Sequence, residues 1–182
     1  MNRLISSTPQ TAWYMLPLVR AIVGPVFLLE GLQKFIDPAI RGPGRFERMG
    51  FPASEFFGYV VGAFEVVCGA LILLGLFTRL AAVPTFVIMT VAIITTKIPI
   101  WLGHGFGPFG VRDVPYYGFL SMAHEMRTDW AMLLGSLILI IAGAGPWSLD
   151  AWRAQDPVGT HDRGPETREA SSAPPGDAAS AP

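Results

Sequence analysis

The chain has 182 residues, of which 51% are hydrophobic and 15% charged, and its mean hydropathy is +0.44. This composition is too apolar for an ordinary soluble domain and indicates an integral membrane protein. A formal net charge of −1 gives no basis for nucleic acid binding, and the single cysteine, Cys68, excludes a disulfide within the chain.

Residues 1–12 are polar and precede an apolar segment, residues 13–35, that is long enough to cross a bilayer. As a helix this segment would measure about 34 Å, and the hydrocarbon core of a bilayer is about 30 Å thick. No small-residue cleavage site closes the segment, so we expect it to remain in the membrane as an anchor.

Three charged side chains lie inside this first predicted span, although a charge near the centre of a span costs about 2.5 to 3.5 kcal/mol. They are Arg20, Glu30 and Lys34. Wrapped as a helix, the charges share one face with Gly24 and Gly31, and the opposite face is compatible with lipid. We therefore expect the charged face to point into a helical bundle.

A second span is predicted over residues 56–77. Small residues and one acid repeat on a narrow face of this helix at Gly58, Gly62, Glu65 and Gly69. Small residues four positions apart allow two helices to approach closely, so this face predicts a tight helix contact. Glu65 lies near the predicted bilayer midplane and should point at another helix.

A third span, residues 80–98, begins a few residues later, which predicts a tight antiparallel hairpin. The long connection over residues 97–127 is rich in glycine, proline and aromatic residues and predicts a re-entrant or interfacial hairpin. A fourth span, residues 129–147, would begin at Asp129. The remainder, residues 154–182, is polar, alanine-rich and proline-rich, and predicts a disordered tail.

The sequence thus predicts an all-α, integral membrane four-helix bundle over residues 13–153, with both termini on one side of the membrane. Depth along the helices predicts a cluster of Glu30, Lys34 and Asp129 at the loop-facing mouth of the bundle, which is the end where the loops after the first and third spans lie. It also brings Arg20 within reach of Glu65. Such charges either fix helix register or line a polar pocket for a quinone-like head group or a proton path, and their spacing leaves both open.

Metal and nucleotide motifs are not recognisable in the sequence. The remaining candidates for a metal ligand or proton carrier are His104 and His124, because no paired cysteines and no His-Glu-x-x-His motif occur. The glycines at 103, 105 and 107 follow no predicted strand and do not form a dinucleotide loop.

Several elements occur in an order that resembles the DoxX family. They are Leu18-Val-Arg20, Gly24, Gly31-x-x-Lys34-Phe35, Glu65-x-x-x-Gly69, Gly75-x-x-Thr78-Arg79, an acidic residue opening the last span, and Gly145-Pro-Trp-Ser148-Leu149-Asp150. The resemblance covers about residues 16–153. Ala131 stands where the family often has a proline, and the long aromatic loop is an addition.

The resemblance implies a four-span protein of the bacterial inner membrane, in a family named for a membrane component of a thiosulfate:quinone oxidoreductase. The matching polar residues are Arg20, Lys34, Glu65 and Asp129. We therefore expect a small membrane subunit that docks a redox protein partner and offers a pocket to a quinone. A non-catalytic scaffold or assembly factor is the first alternative, a small transporter is the second, and a second copy of the chain is a further candidate partner.

Overall fold

The computed structural model describes residues 13–155, in which the regular secondary structure is helical with no strands. The helices are α1 (Leu16–Ile36), α2 (Pro43–Arg48), α3 (Ser54–Leu74), α4 (Thr78–Ala92), α5 (Ile98–Leu102), α6 (Phe119–Ala142) and α7 (Leu149–Gln155). The predicted all-α fold is therefore confirmed. The polar segment 1–12 and the tail beyond residue 155 lie outside the described residues. The first two residues of the predicted tail, 154 and 155, are instead the last two residues of α7.

Three helical segments of the described chain are long and apolar enough to cross a membrane: Leu16–Ile36, Ser54–Leu74 and Thr78–Leu102. They correspond to the first three predicted spans. Helix α6 has 24 residues, but charged residues in its first half leave it outside this set. It begins ten residues before the predicted start at Asp129, because an amphipathic helical segment extends back to Phe119.

Helix α1 packs most extensively on α3, and glycines on both helices form the contact. A Cβ atom on Gly69 would lie 2.5 Å from the backbone nitrogen of Leu28, and one on Gly31 would lie 2.7 Å from that of Val66. These distances are too short for any side chain. The two backbones are therefore in direct contact, which is the close approach that small residues allow between membrane helices.

The other predicted packing glycines lie along the same seam. A Cβ atom on Gly24 would lie 2.9 Å from the backbone nitrogen of Leu73. Gly62 faces the side chain of Lys34, and Gly58 faces Pro43 of α2 rather than a membrane span. The glycine face thus fixes α3 against both α1 and α2.

Helices α3 and α4 form a tight hairpin because two closely spaced breaks reverse the chain. Gly75 ends α3 with φ +71°, and Phe77 precedes α4 with φ +48°, a left-handed conformation that is uncommon for an aromatic residue. The carboxylate of Asp150 accepts hydrogen bonds from the backbone N–H groups of Phe77 at 2.9 Å and Thr78 at 3.2 Å. Helix α7 therefore caps the start of α4.

The third span contains a π-helical turn, Ile93–Lys97, between α4 and α5. The backbone N–H of Ile98 bonds to the carbonyl of Ile93, five residues earlier, and Pro99 lies in the first turn of α5. A π turn inserts one residue into the helix and rotates the next turns about the helix axis. This turn brings Lys97 into the interior, where it is buried.

The four long helices enclose the larger of two apolar clusters in the described residues. Helix α4 packs mainly on α6, and smaller contacts join α3 to α4 and α1 to α6. The core members are Val23, Phe27, Cys68, Ile72, Ala81, Ala82, Met132 and Leu139. Large apolar side chains on the outer faces are widely exposed, which is the pattern of a bundle whose outer surface meets lipid.

Candidate functional site

The side chains of Lys34 and Glu65 form a buried ion pair between α1 and α3. Lys34 lies in the last turn of α1, and Glu65 lies near the middle of α3. Their side chains are only 7% and 4% exposed. Because Gly62 removes a side chain opposite the stem of Lys34, the lysine can lie along α3 and reach Glu65 one turn away.

A second ion pair joins the other two long helices. The Nζ atom of Lys97 lies 2.9 Å from Oδ2 of Asp129, and the side chains are 10% and 23% exposed. The π turn brings Lys97 to this position. Sequence analysis missed Lys97 as a site residue, although a lysine in an otherwise apolar span was a signal that could have identified it.

The structure corrects both charge clusters that the sequence predicted. Lys34 pairs with Glu65 rather than with Asp129, and Arg20 does not contact Glu65. Depth alone did not identify the partner helix, because α6 packs mainly on the third span and only slightly on α1. Asp129 instead meets Lys97.

The two ion pairs occupy equivalent positions in two helical hairpins, one made of α1 and α3 and the other of the third span and α6. In each hairpin a lysine lies near the end of the first long helix, and the acid lies near the middle of the second. Within the first pair, Lys34 and Glu65 are 31 residues apart in the sequence. Lys97 and Asp129 of the second pair are about equally far apart. The bundle therefore repeats one arrangement of buried charge.

Among residues 13–155, Arg20 donates its hydrogen bonds to backbone carbonyls. Its guanidinium donates to the carbonyls of Ile72 at 3.0 Å and Leu73 at 2.9 Å, and to those of Ala144 at 3.1 Å and Trp147 at 3.2 Å. Arg20 thus joins the end of α3 to the turn after α6.

The remaining candidate residues lie apart from these pairs. Glu30 is half-buried on α1, and its backbone carbonyl accepts a long hydrogen bond of 3.5 Å from Nζ of Lys34. His104 and His124 are exposed, and their ring nitrogens contact the carbonyl of Gly105 and the guanidinium of Arg127. Over residues 13–155, no group of three or more His, Cys, Asp or Glu side chains is arranged to hold a metal ion.

The chemistry available at Lys34 and Glu65 is proton exchange and hydrogen bonding inside the bundle. An ammonium and a carboxylate in contact can share a proton, and each remains a strong partner for a polar ligand that displaces the other. Two cavities, of about 530 and 680 Å³, lie elsewhere, beside α2 and between the start of α4 and the end of α6. The ion pair itself is closely packed.

Comparison with known proteins gives three findings. The family model described as DoxX matches residues 15–98. An uncharacterized membrane protein of Mycobacterium tuberculosis, Rv3486, is 52% identical over 132 residues, which cover 72% of this chain and 77% of that protein. CatD of Bacillus subtilis, provisionally named an oxidoreductase, is 30% identical over 134 residues, which cover 73% of this chain and 82% of that protein. No solved structure gives a significant match.

Proposed function

The chain belongs to the DoxX family, and we propose that it serves as a small membrane subunit of a quinone-linked redox complex. In this role the electrons come from a cofactor of a redox partner, and this chain supplies a protonatable group within the bilayer. We place the protein in the bacterial inner membrane. The name of CatD, a relative at 30% identity, supports a redox role.

The observation that carries the proposal is the buried pair of Lys34 and Glu65. Apolar residues of similar volume often replace a buried ion pair with no loss of stability. A lysine and a glutamate at lipid depth therefore point to a task beyond packing, since intramembrane charges usually mark pathways for protons, ions or polar ligands.

A quinone would use both members of the pair. Its reduction to a quinol takes two electrons, here from the partner, and two protons. The ammonium of Lys34 would donate a hydrogen bond to a quinone oxygen. Glu65, a carboxylate while it is paired, would take up a proton from the loop-facing side and pass it to the quinone, once for each of the two protons. The chain has a single cysteine, so dithiol exchange within it is excluded as the electron source.

We further propose that α6 is a fourth membrane span. Its charges are partly neutralised, since Asp129 pairs with Lys97, and Glu125 lies 3.4 Å from Arg112. Its second half, from Trp130 to Ala142, is apolar. With four crossings both termini lie on the same side of the membrane.

A non-catalytic scaffold is the second candidate, and it is favoured by the enclosure of the charges. Lys34 and Glu65 satisfy each other in a closely packed seam, and Arg20 is fully engaged with carbonyls. In this role the ion pairs hold the helices in one register, and a partner assembles on the bundle.

Replacing the pair by apolar residues separates the two candidates. The variant Lys34→Met/Glu65→Leu removes both charges together and should fold, because neither charge is left alone. We expect wild-type protein purified in mild detergent to retain quinone in an organic extract, and the double variant to lose it. The matched control is Thr85→Val/Ser136→Ala, which removes a buried neutral hydrogen bond of 3.0 Å in the second hairpin.

Two results would count against the redox role. Wild-type protein without quinone would contradict quinone binding. A folded double variant that retains as much quinone as the wild type would show that the ion pair only packs the helices, as the scaffold role expects.

A further inference from the structure

We propose that the groove between the start of α4 and the end of α6 binds the phosphate headgroup of an anionic glycerophospholipid. The groove has a volume of about 680 Å³. Its lining includes Trp13, Arg79, Leu80, Gly143 and Asp150. The inference is independent of the proposed redox role, because it uses none of the residues of the ion pairs.

Arg79 supplies a cation with free hydrogen-bonding capacity. Its side chain lies across the exit of α6, since a Cβ atom on Gly143 would lie 3.0 Å from Nε of Arg79. Within the described part of the chain, its guanidinium makes one hydrogen bond, a long one of 3.5 Å to the carbonyl of Ala142. Most of the five N–H donors of this planar group therefore remain available, and their geometry matches a phosphate.

A second cation lies beside the groove on α7. The guanidinium carbon of Arg153 lies 5.7 Å from the centroid of the Phe77 ring, and Phe77 lines the groove. The carboxylate of Asp150 is not paired with either arginine among residues 13–155, because its two oxygens accept the backbone N–H groups of Phe77 and Thr78. Within this described range, two arginines thus lie at the groove without an acidic partner.

The surroundings of the groove fit a lipid rather than a soluble anion. Leu80 lines the groove, and Val83 and Val87 continue from it along the same face of α4; these three side chains are 72%, 46% and 51% exposed. An acyl chain can follow this apolar track from a headgroup at Arg79. Trp13 and Trp147 are also exposed at this end of the bundle, as expected for the headgroup zone.

Charge decides which lipid the groove selects. Two arginines attract the net negative charge of phosphatidylglycerol or a similar lipid, whereas the ammonium of a zwitterionic headgroup is repelled by them. A soluble phosphate ester would meet the same guanidinium groups but would gain nothing from the apolar track.

The test is native mass spectrometry of the full chain released from nanodiscs that contain equal amounts of phosphatidylglycerol and phosphatidylcholine. We expect the wild type to retain phosphatidylglycerol in excess. The variant Arg79→Gln/Arg153→Gln should reduce that excess about 25-fold, because each arginine near a membrane surface contributes about a factor of five. The matched control, Arg41→Gln/Arg45→Gln, changes two exposed arginines on the loop-facing side and should leave the excess unchanged.

A second variant and a competition experiment separate the proposal from a loss of fold and from binding of a soluble ester. Arg79→Lys/Arg153→Lys keeps both charges and should retain most of the excess, so it also guards against a loss of fold in the glutamine variant. Equal retention of the two lipids by the wild type, or an unchanged excess in the glutamine variant, would overturn the proposal. Displacement of the lipid by millimolar glycerol 3-phosphate would assign the groove to soluble phosphate esters and would also overturn it.

Discussion

Arg20 shows how backbone carbonyls can accommodate one charged side chain inside a membrane bundle. The last carbonyls of a helix have no partner within that helix. Arg20 donates to two of them at the end of α3, those of Ile72 and Leu73, and to the carbonyls of Ala144 and Trp147 after α6. The guanidinium therefore holds together two chain segments that are far apart in the sequence.

The variant Arg20→Lys should destabilise the bundle although it preserves the charge. A lysine has one nitrogen and cannot reach four carbonyls in two directions, so we expect a loss of about 2 to 4 kcal/mol in the free energy of unfolding. Unfolding in mixed detergent micelles, followed by circular dichroism, would measure it. Arg79→Lys, at an exposed arginine, is the control, and equal stability of the two variants would contradict the role of Arg20.

Among the elements, the contact of α1 with α3 determines where the first ion pair lies. The glycines of both helices bring the backbones together, and Lys34 reaches Glu65 across the gap that Gly62 leaves. The second hairpin reaches the same result by another route, since a π turn rather than a glycine seam directs Lys97 towards Asp129.

A methyl group at Gly69 should force α1 and α3 apart. Its Cβ would lie 2.5 Å from the nitrogen of Leu28 and 2.9 Å from the carbonyl oxygen of Gly24, and neither backbone atom can move alone. We expect Gly69→Ala to cost about 1 to 3 kcal/mol in the same unfolding measurement. Ala63→Leu adds volume on the exposed face of α3 and should have little effect; equal losses in both variants would argue against the seam.

For the molecule as a whole, the number of membrane crossings depends on α6. Helix α6 packs on α4, and Thr85 of α4 hydrogen-bonds Ser136 of α6 in the interior. An α6 that crosses the membrane places α7 on the side where α1 begins.

Reporter fusions would test this topology. We expect alkaline phosphatase fused after Ile40 or after Pro108 to report one side of the membrane, and a fusion after Gln155 to report the other. If α6 does not cross, the fusion after Gln155 will report the same side as the fusion after Pro108.

The sequence predicted the helices well where hydropathy alone decides their position. The first three spans lie within a few residues of α1, α3 and the third span, because each is a continuous apolar run. The start of α6 could not be predicted in this way, since the residues from Phe119 to Thr128 mix polar and apolar side chains, and only their packing makes them part of a long helix.

The candidate site was predicted as a set of residues but not as a set of contacts. Lys34, Glu65 and Asp129 were singled out because charge is costly in an apolar span, a property of each residue alone. Their partners depend on which helices pack together and on helix rotation: α6 packs mainly on the third span, and a π turn contains Lys97. Lys97 was missed although the same signal was present, since it lies within the third predicted span.

The cap that Asp150 places on α4 has a consequence for the order of biosynthesis. Asp150 comes 72 residues after Thr78, so the third span leaves the ribosome long before its first N–H groups find their acceptor. The acceptors of Arg20 beyond α6 are made equally late. A nascent chain that stops before this point therefore lacks the acceptors for the first N–H groups of α4 and for part of the Arg20 guanidinium.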